Sequence, residues 1–202
     1  MWIDVAAKFE QAAASTDARI ALRLNPQLTM LPLPIGRFDE PFFPLGKTVI
    51  QATHKRVSAY LFDFAAYLAL GAAGVIALER TIAYANSLDR VTILDGPFSG
   101  SAYRVMLDEL SFNLDAVTLA DAADLPAYSG LGHGAAFVNM PGTDEQPVPD
   151  DAGLYYRDQN ALVLPDTEGE PVRFSVAGDD VVYADRGYDF ADHLLQRLDV
   201  YR

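Results

Sequence analysis

The sequence predicts an α/β protein in which parallel strands alternate with helices, and three observations carry that prediction. Short apolar runs recur along the first two thirds of the chain, and each stops at a turn signal, as in VTILDGP (91–97). Segments of helical period separate them, which implies βαβ units with right-handed crossovers. Beyond Pro141 the apolar runs lie only a few residues apart, which leaves room for hairpins but not for crossover helices.

The elements follow in order. Residues 2–15 read as an amphipathic helix, with Trp2, Val5, Ala6, Phe9 and Ala13 at helical spacing. IALRL (20–24) is a first strand, stopped by Asn25 and Pro26, and a stretch rich in proline and glycine follows as loop. Pro44 suits the first turn of a helix that runs to about Lys55, because its missing N–H costs nothing there. A second strand over 58–64 leads through a loop to an apolar helix over 72–86. The third strand is 91–95, followed by a helix over 101–110. Strands four and five are 116–119 and 135–138. The later runs, 154–156, 161–164, 172–176 and 181–183, read as strands, and 189–198 as a closing helix. We read one domain over 1–202, comprising a βα part (1–140), an altered strand and hairpin region (141–187) and a closing helical segment (188–202).

The bulk chemistry excludes several functions. Of 202 residues, half are hydrophobic and 21% charged, which is not the composition of a disordered chain. A formal charge of −13 without a basic stripe excludes nucleic acid as partner. The absence of cysteine removes disulfides, thiolate metal sites and a cysteine nucleophile. The segment 60–78 is apolar enough to suggest a membrane span. Asp63, Gly71, Gly74 and the following Glu79 and Arg80 argue for a buried strand and helix instead. Residues 1–11 lack the pattern of a signal peptide, so a cytoplasmic location is expected, with no membrane partner.

Candidate site residues cluster where the third strand ends. In a parallel α/β protein ligands bind beyond the carboxyl ends of strands, which places Asp95, Pro97, Ser99, Gly100 and Ser101 there. Ser99 or Ser101 would cap the helix that follows, and that helix start could also hold an anion. The serine does not sit in the G-x-S-x-G elbow of a nucleophile. His54, His133 and His193 lack metal-ligand spacing. The acidic stretches at 150–151 and 166–170 lack the EF-hand pattern, so no metal is expected.

Together these segments resemble the orotidine 5'-monophosphate decarboxylase family, in its longer bacterial subgroup. RIALRLNP (19–26) is similar to that family's first strand, written R-L-C-V-G-L-D-P, and PLGKTVIQAT (44–53) to its first barrel helix. VSAYLFDF (57–64), LGAAG (70–74) and ALERTIAY (77–84) resemble the second strand and its helix. TILD (92–95) resembles the third strand, DAVTL (115–119) the fourth, and NMPGT (139–143) a worn form of the S-N-P-G-S turn after the fifth. VYA (182–184) and DFA (189–191) resemble the last strand and helix, less closely.

The resemblance implies a TIM (β/α)8-type barrel, here degenerate or truncated: the first half keeps regular βα units and the last third is hairpin-rich. It also implies a two-fold dimer around the site end and a decarboxylation that needs no cofactor or metal. In the family, an Asp-x-Lys-x-x-Asp array after the third strand and a second-strand lysine do the chemistry. Asp95 matches the first aspartate, but Pro97 stands at the lysine, Gly100 at the second aspartate and Leu61 at the second-strand lysine. Asn25 stands where the family has a ribose-contacting aspartate, and Asp179 where it has a phosphate-gripping arginine. Loss of the proton donor and the phosphate grip removes both the reaction and its handle.

Two functions follow as expectations. One is a catalytically inactive decarboxylase-like protein that acts by binding or interaction, as a homodimer or with an active relative. The other is a repurposed enzyme or binder of nucleotides or other anionic ligands, with Asp63 and Asp95 as general acid and base. Phe38, Phe42, Phe43, Phe98, Tyr103 and Phe112 would then either face a partner or fill a collapsed pocket. Either strands six to eight are joined by short loops, or the last third is an antiparallel meander beside a partial barrel, whose open edge would also favour dimerisation.

Overall fold

The computed structural model describes residues 2–96, 98–107, 112–129, 134–141, 147–165 and 170–201. Eight strands form one closed barrel in chain order: β1 (Ile20–Leu24), β2 (Ala59–Asp63), β3 (Val91–Asp95), β4 (Ala116–Leu119), β5 (Ala135–Met140), β6 (Gly153–Tyr156), β7 (Ala161–Leu164) and β8 (Val172–Ala177). Neighbours from β1 to β6 pair in parallel. β7 runs antiparallel to both β6 and β8, and β8 closes onto β1 in parallel. One reversed strand therefore carries the chain from one end of the barrel to the other without a crossover helix. Closure leaves no free sheet edge, so the partial barrel with an open edge, and the dimerisation argued from it, do not hold.

Alternation along each strand sorts the side chains into two layers. Ala21, Ala59, Leu61, Val91, Ile93, Ala116, Ala135, Phe137, Tyr155, Leu162, Leu164, Phe174 and Val176 fill the interior. Leu22, Leu24, Tyr60, Phe62, Leu94, Val117, Leu119 and Ala177 face outward, into the layer beneath the helices. Helix α1 (Trp2–Thr16) belongs to the inner cluster through Val5, Phe9, Ala12 and Ala13, and so plugs the barrel. The Phe9 ring meets Phe137 and Phe174 edge-on, with centroids 6.0 and 5.0 Å away. Polar contacts hold α1 across the N-terminal ends of the strands. Lys8 Nζ reaches Asp115 at 2.6 Å, Arg90 Nη1 donates to Ser15 Oγ at 2.8 Å, and Thr16 and Ser58 share a hydroxyl hydrogen bond of 3.1 Å. The opposite end of the barrel, its mouth, is the C-terminal end of β1 to β6 and β8.

Helices α2 (Phe42–Thr53), α3 (Phe64–Leu68), α4 (Ala72–Asn86) and α6 (Phe190–Leu198) cover the outside of β8, β1, β2 and β3. Glycine makes two of these contacts possible. A Cβ at Gly74 would lie 1.7 Å from the Tyr67 carbonyl oxygen, and one at Gly46 only 2.6 Å from Thr81 Cγ2, where α2 meets α4. After β3 and β4 the described residues form only 3-10 turns, Ser101–Leu107 and Ala122–Tyr128, so the full helix expected over 101–110 is not seen; 108–110 lie outside the described residues. The outer face of β5 to β7 buries Val138, Leu154, Tyr156, Ala161 and Val163 against Leu125, Met140 and Val148 rather than against an α-helix.

A second element differs from expectation. Residues 181–183 are not a strand: α5 (Asp179–Val182) is a single helical turn, with Val181 and Val182 buried in the outer layer. β8 ends five residues before the VYA segment that resembled the last strand. The apolar 60–78 segment becomes β2, α3 and the start of α4, and among the described residues no helix is long and apolar enough to cross a membrane.

Candidate functional site

Inward parity at the strand ends decides which side chains meet in the mouth. Arg23 precedes the end of β1, and Asn25 follows it. Asp63 ends β2 and is register partner of Asp95, which ends β3. Thr118 comes from β4, Asn139 from β5, Tyr155 from β6 and Arg157 from the turn after it, while Asp179 follows β8. Of the residues singled out from sequence, Asn25, Leu61, Asp63 and Asp95 come together here. Leu61 lies one layer down, fully buried in the apolar floor.

Asp95 is the centre of this array and has no solvent exposure. Its Oδ1 accepts a hydrogen bond from Thr118 Oγ1 at 3.0 Å and forms an ion pair with Arg157 Nη2. Thr118 Oγ1 in turn accepts from the Gly96 amide at 3.0 Å, which orients its proton toward Asp95. Arg157 is fixed twice more: Nε donates to Asn139 Oδ1 at 3.2 Å, and the guanidinium lies 4.9 Å from the Tyr155 ring centroid. Burial raises the pKa of Asp95, the Arg157 charge pulls it back, and the Asp63 carboxylate adds to the rise. Burial likewise raises the Tyr155 hydroxyl, and Asp95 adds to that.

Asp63 does not share this pairing. Its carboxylate caps α3, accepting from the Ala66 amide at 3.0 Å. At the other side of the mouth Asp179 Oδ2 accepts from Gln27 Nε2 at 2.8 Å and Asn25 Nδ2 at 3.1 Å. The turn after β3 is structural. Ser99 is buried, with its hydroxyl against the carbonyl oxygens of Gly96 and Thr118, and neither it nor Ser101 caps a helix. The Ser101 amide instead donates to Asp124 Oδ1 at 3.0 Å, so a carboxylate of the chain already occupies the helix start that could have held an anion. Tyr128 Oη donates to the Gly100 carbonyl at 2.7 Å. Pro97 lies outside the described residues, as do His133 and residues 166–169.

The six aromatics do not fill the mouth, since none belongs to the interior cluster. Phe42 is buried against Tyr67 beneath the helices, and Tyr103 packs on Phe64. Phe38 and Phe98 are exposed, Phe98 by 85%. Among the described residues no group of three or more metal-ligating side chains is assembled. His54 contacts the Gln51 carbonyl at the end of α2, and His193 pairs with Asp185 on the surface.

Sequence reasoning missed Arg23, Thr118, Asn139, Tyr155 and Arg157. A signal existed for the arginines: Arg23 interrupts an apolar strand at inward parity, and Arg157 keeps the parity of Tyr155 just past a strand end.

No protein-family profile matches the chain. Among curated proteins it is 38% identical over 76 residues to the orotidine 5'-phosphate decarboxylase of Herpetosiphon aurantiacus, covering 38% of this chain and 28% of that protein. It is 30% identical over 109 residues to that of Flavobacterium johnsoniae, covering 50% of this chain and 39% of the relative. The matched stretches thus span well under half the length of these relatives. Among solved structures, Plasmodium berghei orotidine 5'-monophosphate decarboxylase superimposes with a TM-score of 0.56 at 15% identity, over 69% of this chain and 61% of that one. Leishmania donovani OMP decarboxylase gives 0.53 at 20% identity, over 67% of this chain and 52% of that one. The chain therefore resembles the orotidine 5'-phosphate decarboxylases in part of its sequence and in its barrel, as its motifs implied.

Proposed function

We propose that this chain is a degenerate, non-decarboxylating relative of the orotidine 5'-phosphate decarboxylases that acts by binding. The observation that carries the reading is the Arg157–Asp95 ion pair. In the family's logic a carboxylate at the third strand disfavours the substrate's carboxylate, and a lysine protonates the carbanion left behind. Here the carboxylate is neutralised from within, and its partner is a guanidinium, which stays protonated throughout the physiological range and makes a poor proton donor. Leu61 and Gly100 supply no replacement. The alternative pair, Asp63 with Asp95, is weakened because one carboxylate caps a helix and the other is held by an arginine.

The test is direct. Orotidine 5'-monophosphate is added to the purified chain and its absorbance followed; no loss above background is expected. Turnover that Asp95→Ala abolishes would overturn the proposal. A second copy of the chain is the partner we assign to the mouth rim. Leu33, Phe38 and Phe98, on the loops after β1 and β3, and Leu68, at the end of α3, are large apolar side chains left exposed. Sedimentation of wild type against Phe38→Glu/Phe98→Glu checks this: the pair of substitutions should yield monomer, and a wild-type monomer at high concentration would refute it.

A further inference from the structure

Arg23 is the anomaly of the mouth. It comes from an otherwise apolar strand, and among the described residues no carboxylate lies within ion-pair distance of it. Its Nε is buried without a hydrogen-bond partner. A partly buried cation costs stability unless something pairs with it. In a chain of formal charge −13 a carboxylate partner would be easy to supply.

Two more buried polar atoms flank it. The Tyr155 hydroxyl is buried beside the guanidinium, and Arg23 offsets part of the rise in its pKa that burial causes. The guanidinium also lies against Gly178, where a Cβ would come 3.6 Å from Nη2. The next residue is Asp179, whose Oδ2 is taken by Asn25 and Gln27 while Oδ1 is buried and unpartnered. Donors from β1 and β6 thus face an acceptor that follows β8.

We propose that this cluster is a receptor for a small hydroxycarboxylate. The ligand's carboxylate lies on Arg23 and Tyr155, and its hydroxyl donates to Asp179. A guanidinium edge suits a planar carboxylate. Asp179 repels a bare anion but rewards one that brings a hydroxyl donor, so the site discriminates by a hydrogen bond as well as by charge. The proposal rests on the reading of the mouth as a binding site, and it fails separately from that reading: turnover of the nucleotide would leave it standing.

Glycolate, acetate and inorganic phosphate serve as probes, titrated to tens of millimolar while arginine Nε–H signals are followed by NMR. Glycolate should shift a signal that is missing in Arg23→Lys, a variant that keeps the charge and whose melting curve reports that it is folded. Acetate should bind at least about tenfold more weakly, the loss expected for one hydrogen bond to a charged group. Asp179→Asn should bring glycolate toward acetate's level. No Arg23-dependent shift with glycolate would overturn the proposal, and so would phosphate or acetate binding as tightly as glycolate.

Discussion

Replacing Arg157 with methionine tests whether the mouth is held by its charge pair. The carboxylate left behind is fully buried, with Thr118 as its one remaining hydrogen-bond donor among the described residues. Breaking a buried ion pair from one side costs about 3–5 kcal/mol. Arg157 is 31% exposed, so solvent screens part of the attraction, and Asp95 can also escape the penalty by taking up a proton. With that discount we expect a loss of about 2 kcal/mol at neutral pH. The pH dependence is the sharper signature. Burial already sets the folded-state pKa of Asp95 above its unfolded value, so the folded protein binds this proton more tightly. The stability this contributes is fully present below the unfolded pKa and is lost as pH rises through the folded one. Removing Arg157 removes the charge that pulls the folded pKa down, so the loss should grow from about pH 4 toward neutrality. Urea unfolding across that range, for wild type, Arg157→Met, Asp95→Asn and the double variant, measures it. The double variant should fall within about 0.5 kcal/mol of Asp95→Asn alone, because the burden is the stranded carboxylate. A loss at neutral pH under about 0.5 kcal/mol, or one that is independent of pH and survives in the Asp95→Asn background, would refute the reasoning.

Two further predictions concern the frame of the barrel. Phe9→Ala removes the ring that fills the bottom of the barrel between Phe137 and Phe174 and should cost about 3–5 kcal/mol, read as a large drop in melting temperature; a drop of a few degrees would mean that α1 is not a true plug. Gly74→Ala drives a methyl group into the Tyr67 carbonyl and should destabilise by more than the usual gain of a glycine-to-alanine change in a helix, about 1 kcal/mol of opposite sign; a stabilised variant would show that α3 and α4 separate without cost.

Much of the barrel was legible because its strands obey local rules. IALRL, VTILD and ALVL are apolar runs of strand length with turn signals behind them, and each forms a strand in place. Residues 181–183 misled because β-branched residues in a row read as strand. Their burial on the outer layer suits a single helical turn just as well, and packing decided between the two. The site was legible only on one side. Asp95 could be placed from its strand end, but its partner lies 62 residues away, and no local pattern encodes a contact made by barrel closure. Arg23 was visible as a charge inside an apolar run, a conflict of the kind that marks a site rather than a defect.

The reversed strand also changes what kind of loop delivers Arg157. In a regular barrel of this kind, a loop at the mouth leads into a helix on the outside, and such loops drift in length and sequence with little effect on the frame. The turn carrying Arg157 instead joins two neighbouring staves, β6 ending at Tyr156 and β7 beginning at Ala161, and it closes through Asn160 at a φ of 49°. Both of its ends are anchored in the wall, with three 3-10 residues between. A guanidinium mounted on such a bracket has little freedom to swing, so the cation in the mouth belongs to the wall of the barrel and not to a lid above it. Insertions tolerated elsewhere around the rim would be felt at once in this turn, and a lineage that kept the pair would have to keep the turn's length as well.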